Sequence, residues 1–239
     1  MGAAAAETVA AKINEILADK EFINIVFAAA PSQNEFLAEL RWKNIPWDRV
    51  NAFHMDEYIG LDNGATQLFG NFLKERLFDK VNFRQVFYIG GNTKDAKAEC
   101  KRYAALLEQY PTDIVFLGIG ENTHVAFNDP HVADFNDSEI VKVVDLDEMN
   151  RKQQVDPNDP SCFKTIQQVP THAITLTVPT LFKATHAYAI VPGEKKADAI
   201  YYTINSEVSE RYPSTIFRVH PAATLFIDEN SASRLSIEK

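Results

Sequence analysis

Two short stretches hold the residues whose types and spacing suit chemistry: Phe53–Leu61, FHMDEYIGL, and Gly118–Pro130, GIGENTHVAFNDP. Each follows an apolar run that reads as a buried strand, Val50–Phe53 before the first and Asp113–Leu117 before the second. In an open α/β sheet, ligands bind outside the carboxyl ends of the strands. The two stretches therefore offer Asp56, Glu57, His124 and Asp129 to one crevice. Such an acid/base set suits proton transfer on a small molecule.

Each group has a plainer reading beside the chemical one. A carboxylate at a buried strand end is costly unless it caps a helix, pairs with a cation or reacts. Asp56 fits a helix cap as well as a base, although Glu57 beside it and a turn at Gly60 make the cap less apt. A single histidine is usually a satisfied polar residue; His124 gains interest from Asn122 and Asp129, either of which can orient its ring. The stretch Ala28–Gln33, AAAPSQ, joins a strand to a helix. It is either an ordinary βα turn or an anion site, in which Ala30, Ser32 and Gln33 present backbone N–H groups and a hydroxyl. Lys196, in the turn GEKKA, can reach the same crevice as a point charge. Arg151, Gln153 and Gln154 are ambiguous on their own.

The elements that must position these residues alternate in type. Helical patterns cover Ala4–Ala18, Asn34–Arg41, Gln67–Leu77, Lys94–Gln109 and Lys195–Ile204. Strand patterns cover Ile23–Ala28, Arg49–His54, Gln85–Ile89, Asp113–Gly118, Ile140–Leu146, Ala173–Val178, Ala187–Val191 and Thr224–Ile227. This βαβ alternation predicts a three-layer α/β fold, a mostly parallel Rossmann-like sheet with helices on both faces. The chain of 239 residues is read as one domain, 1–239, with Asp156–Ser161, DPNDPS, an exposed loop inside it.

A formal net charge of −9 argues against nucleic acid as a partner, since its phosphates need Lys and Arg. Cys100 and Cys162 form no zinc or disulfide pattern, so they read as packing residues in a reducing cytoplasm. No run approaches the ~18 apolar residues of a membrane span. The opening MGAAAAETVAAKINEIL reads as an amphipathic helix rather than a signal peptide.

Together, MDEY followed by Gly-Leu, and H-x-A-F-N-[acid]-P, resemble the glucosamine-6-phosphate deaminase/isomerase family, with which 6-phosphogluconolactonases share a fold. The resemblance runs from about Ile23 to Ala232, and MDEY with AFNDP favours the deaminase branch. It implies that Asp56 moves a proton between C2 and C1 of a sugar, with Glu57 beside it. It also implies that His124 opens the pyranose ring, supported by Asp129 and Asn122. Ala30, Ser32, Gln33, Arg151 and Lys196 would hold the phosphate. No metal and no cofactor are implied.

The chain departs from the family pattern at three points. Asn122-Thr123 stand where Asp-Gly is usual, and Asp129 stands for Glu. An amide cannot lend the histidine a negative charge, though it can orient the ring. Threonine resists the positive φ that glycine would permit. AAAPSQ replaces a Gly-Ser/Thr-rich loop. The implied reaction is aldose–ketose isomerisation with deamination of an amino-sugar 6-phosphate, gluco or galacto. A lactonase and a catalytically weakened sugar-phosphate sensor are the rivals. Hexameric, effector-activated relatives carry a basic run after the histidine motif. Here His131–Lys142, HVADFNDSEIVK, has three acids and one lysine, so a monomer or small homo-oligomer is expected.

Overall fold

The computed structural model describes residues 1–160 and 162–236. Among them, six strands form a parallel sheet: β1 (Ile23–Phe27), β2 (Val50–His54), β4 (Gln85–Phe87), β5 (Ile114–Leu117), β8 (His186–Val191) and β9 (Ala223–Ile227). Their order is β4-β2-β1-β5-β8-β9. Three further strands, β3 (Asp56–Tyr58), β6 (Val141–Asp145) and β7 (His172–Leu176), form a separate antiparallel sheet in the order β3-β7-β6.

Every residue of β1, β2 and β5 is buried. Central parallel strands are covered on both faces, which is why they read as near-continuous apolar runs, broken here by the buried Asn24, Asn51 and His54. Their period-2 alternation divides the core. Ile23, Ile25, Phe27 and Phe116 pack with Ala5, Val9, Ile13 and Leu17 of α1 (Gly2–Asp19) and with Phe36, Leu37 and Leu40 of α2 (Asn34–Leu40). Val26, Val115 and Leu117 face the other way, toward Tyr103 and Leu107 of α4 (Ala96–Gln109) and toward Ala199 and Ile200 of α7 (Ala197–Asn205). The small sheet joins that second layer through Ile174 and Leu176.

Three elements went unread in the sequence: β3, α5 (Glu148–Gln153) and α6 (Val178–Phe182). All three are short, so periodicity has little length in which to show. α3 (Phe69–Leu73) is also shorter than the expected Gln67–Leu77 helix and runs into a wider helical turn over Lys74–Phe78. The expected loop Asp156–Ser161 is turn-rich through Pro160; Ser161 lies outside the described residues. No helix among the described residues is long and apolar enough to cross a membrane.

The chain leaves β1 for β2 on one side, while β5 lies on β1's other side. Loops diverge at such a switch point, and a crevice opens above the strand ends.

Candidate active site

That crevice has about 500 Å³ of empty space, counting the open solvent at its mouth. Ala28–Ala30 and Ser32 line it from the end of β1, Met55 and Asp56 from the end of β2, and Gly118–Gly120 and His124 from the end of β5. Lys196, beyond β8, and Phe69, Ala126, Phe127, Gln153 and Gln154 complete the wall.

Asp56 sits where the chain changes sheets. The Met55 carbonyl accepts the Leu176 N–H, 2.8 Å, and Asp56 then pairs with Thr175 in the antiparallel sheet. The buried His54 ring braces this transfer. Its Nε2 accepts the Ile89 N–H at 2.9 Å, which leaves the proton on Nδ1, 2.9 Å from the Asp56 carbonyl. Burial lowers His54 to a pKa of about 4, so it is a neutral strut near pH 7. Asp56 is only 5% exposed, and no hydrogen bond to its carboxylate occurs among the described residues. Burial, then the nearby charge of Glu57, raises its pKa well above the ordinary carboxylate range.

Glu57 does not reach the crevice, contrary to the expectation from the motif. Period-2 alternation along β3 turns it to the opposite side. Its Oε1 accepts the N–H groups of Tyr58 and Phe69, 2.9 and 3.0 Å, and its Oε2 accepts that of Gly70, 2.9 Å. It caps α3 and thereby fixes Phe69 in the crevice wall. Burial lifts its pKa to about 7 despite these three donors.

His124 is held by a polar cluster beneath it. Asn122 Oδ1 lies 2.6 Å from Nδ1 and also accepts the His124 N–H at 3.1 Å. Asn122 Nδ2 donates to Asp129 Oδ1 and Asp147 Oδ2, both at 2.9 Å. The two carboxylates fix the amide's orientation, and its oxygen in turn fixes the imidazole tautomer with the proton on Nδ1. Nε2 is left with its lone pair on the crevice side. Asp129, fully buried, lies 3.1 Å from Nδ1 and accepts Asn150 Nδ2 at 2.9 and 3.0 Å. Burial alone would raise its pKa, but the bonds from His124, Asn122 and Asn150 outweigh that and lower it. The negative charge that Asn122 lacks is thus supplied by Asp129.

The loop under the ring is tight. A Cβ on Gly120 would fall 2.1 Å from the His124 ring, so only glycine fits. Thr123 adopts φ 70° and Ala126 φ 49°. The left-handed region costs a residue with a Cβ roughly 1–2 kcal/mol, so Thr123 sits where glycine would sit more easily. Its N–H donates to Gly120 O at 2.9 Å, and its carbonyl accepts the Ser214 N–H at 2.9 Å.

Among the expected phosphate contacts, Ala30, Ser32 and Lys196 line the crevice. Lys196 is half-buried, and burial lowers its pKa to about 8, with Glu121 opposing and Lys195 assisting. Gln33 does not line it. That side chain is buried behind Ser32, donating to Ser32 Oγ, 3.1 Å, and Ile190 O, 3.0 Å. Arg151 also turns away: its Nη2 donates to Ile166 O and Val169 O, 2.8 and 2.9 Å. Those carbonyls hold the Nη2 end of the guanidinium away from the crevice, while Nε is buried without a hydrogen-bond partner among the described residues.

Sequence reasoning missed the remaining cluster members. Asp147 caps α5, accepting the Asn150 N–H at 2.6 Å, and its other oxygen holds Asn122. An Asp followed by Glu148 is a helix-start signal that was available in the sequence. That helix carries Asn150 to Asp129, and Gln153 and Gln154 to the crevice.

Fold and crevice define a doubly wound α/β protein with acid/base groups and the cation Lys196 gathered at the strand ends. The family described as glucosamine-6-phosphate isomerases/6-phosphogluconolactonase matches residues 1–226, and the chain belongs to it. A glucosamine-6-phosphate deaminase of Bacillus cereus is 33% identical over 224 residues, covering 94% of this chain and 82% of that protein. One from Bacillus anthracis gives the same figures. A solved monomeric glucosamine-6-phosphate deaminase superposes with a TM-score of 0.86 at 27% identity, covering 97% of this chain and 94% of its own. A 6-phosphogluconolactonase of Thermotoga maritima shares the fold, with a TM-score of 0.70 at 20% identity over 93% of this chain and 92% of its own.

Proposed function

We propose that this protein is a deaminating aldose–ketose isomerase acting on an amino-sugar 6-phosphate, glucosamine-6-phosphate or its galacto epimer. The observation that carries the reading is Asp56: a buried carboxylate with no hydrogen-bond partner among the described residues, open to the crevice. A base that must reach a carbon-bound proton needs that freedom, and a raised pKa brings it nearer the operating pH.

The phosphate end of the sugar lies against Ser32, the Ala28–Ala30 backbone and Lys196. His124 Nε2 takes the anomeric hydroxyl proton as the ring oxygen leaves C1, and the imidazolium returns that proton to the ring oxygen, giving the open aldehyde. Asp129 stabilises the imidazolium that forms, and Asn122 holds the ring in line. Asp56 then removes the C2 proton. The resulting cis-enediolamine takes a proton at C1 from the same carboxyl group. Water hydrolyses the C2 ketimine, releasing ammonia and a ketose 6-phosphate. Glu57 acts only by holding α3. None of these steps calls for a metal or organic cofactor.

The acidic stretch His131–Lys142 and the monomeric relative support a monomer or small homo-oligomer without phosphate-effector activation. The expected partner is a small sugar phosphate, not nucleic acid, and the expected setting is the cytoplasm. The test is a coupled ammonia-release assay on glucosamine-6-phosphate and galactosamine-6-phosphate. Ammonia equal to the ketose phosphate formed is the expected result. Hydrolysis of 6-phosphogluconolactone with no ammonia from either amino sugar would sink the reading in favour of a lactonase.

A further inference from the structure

Among the described residues, Lys196 is the one cationic side chain lining the crevice, because Arg151 is committed to the carbonyls of Ile166 and Val169. A sugar phosphate dianion can use a further side-chain donor besides Lys196, the Ser32 hydroxyl and the Ala28–Ala30 backbone. Gln153 lies on the same wall, and its amide has a defined orientation. Its Oε1 accepts the backbone N–H of Glu121 at 2.8 Å, and Glu121 is close enough to Lys196 to influence its charge. With the oxygen so engaged, the Nε2 group is the free end of the amide. It has no hydrogen-bond partner among the described residues, and the residue lines the crevice.

We propose that Gln153 is a specificity-determining binding residue whose Nε2–H group donates to the substrate's phosphate beside Lys196 and Ser32. This rests on the phosphate-binding reading of the crevice given above. The assignment places a neutral amide where the sequence suggested an arginine. The anion subsite then carries a single positive charge and reads phosphate by oriented donors as much as by charge. A neutral donor to an anion is a charge-assisted bond, stronger than a neutral pair. α5 thus links both ends of the site, with Asn150 under Asp129 and Gln153 at the phosphate.

Gln153→Glu separates this role from a structural one. Glutamate keeps an oxygen for the Glu121 N–H, so the turn retains its anchor, but it turns the free end from a donor into an anionic acceptor. Inorganic phosphate is the probe, measured by calorimetry and as a competitive inhibitor of turnover. The expected result is phosphate affinity lower by about tenfold or more, a KM raised by a similar factor, and kcat changed less. Thermal stability should stay near that of the parent chain. Gln153→Ala should weaken phosphate binding less than Gln153→Glu, since it removes a donor without adding repulsion. Lys196→Ala distinguishes the two levels of the reading. If Lys196→Ala abolishes phosphate binding while Gln153→Glu leaves it unchanged, the anion site stands and the Gln153 assignment is overturned. If neither substitution alters phosphate binding, the crevice is not the anion site and both readings fall.

Discussion

Replacing Asp56 by asparagine should abolish turnover and stabilise the protein, and the two effects have one cause. The carboxylate is buried, lacks a hydrogen-bond partner among the described residues and feels the charge of Glu57. An amide keeps its shape and removes the charge. Loss of a general base costs roughly 10²–10⁴-fold in rate, about 3–5 kcal/mol of barrier. The stability effect depends on pH. Because the folded pKa is raised, the native state binds this proton more tightly than the unfolded chain, whose aspartate titrates near ~3.9. Parent stability from this group is therefore fully present below about pH 4 and declines as pH rises toward the folded value. Each pH unit in that window costs about 1.4 kcal/mol, or about 3–5 °C in Tm for a chain of this size. The Asp56→Asn protein has no such loss. Scanning calorimetry of both proteins from pH 4 to 8 should show equal Tm values at the acid end and a gap that widens with pH in favour of Asp56→Asn. Ammonia release measures the other half. A substituted protein less stable than the parent at pH 7, or one with near-normal turnover, would refute the picture of a buried, unpartnered base.

The other predictions follow from neighbouring groups. His124→Ala should slow the cyclic substrate far more than an open-chain analogue, because enolisation by Asp56 does not need the imidazole; equal losses on both would place His124 in another step. Arg151→Met should lower stability by about 1.5–3 kcal/mol through the two lost carbonyl contacts while leaving phosphate affinity within about twofold. Denaturant titration beside phosphate calorimetry checks this, and weakened phosphate binding in a fully stable protein would contradict it. KM for the sugar phosphate should rise above about pH 8 as free Lys196 loses its proton, with kcat less affected; a KM flat to pH 9.5 would argue against Lys196 as the phosphate's cation.

Much of the fold was legible because its strands are buried on both faces. Ile23–Phe27, Val50–His54 and Ile114–Leu117 are short, mostly apolar runs, broken by Asn24, Asn51 and His54, whose length fits buried parallel strands better than helices. The small antiparallel sheet was only partly legible. β6 and β7 were read as strands, but β3 is three residues long and begins with two acids. The pairing of Asp56 with Thr175 is decided by tertiary contact.

The sequence by itself determined which chemical groups this protein owns and that the strand ends gather them. MDEY and HVAFNDP placed a carboxylate after β2 and a histidine with its acid after β5, and strand-end geometry brings both to one crevice. Tertiary structure decided which way each group points and which partner it keeps. Asp56 and Glu57 are adjacent in sequence, yet alternation along β3 sends one to the crevice and the other to cap α3. Arg151 and Gln153 share one short helix. Long-range carbonyls at 166 and 169 claim the arginine, while the Glu121 N–H orients the glutamine at the crevice wall. A side chain's direction is set by the hydrogen bonds that neighbours distant in the chain can offer, and those neighbours exist only once the chain has folded.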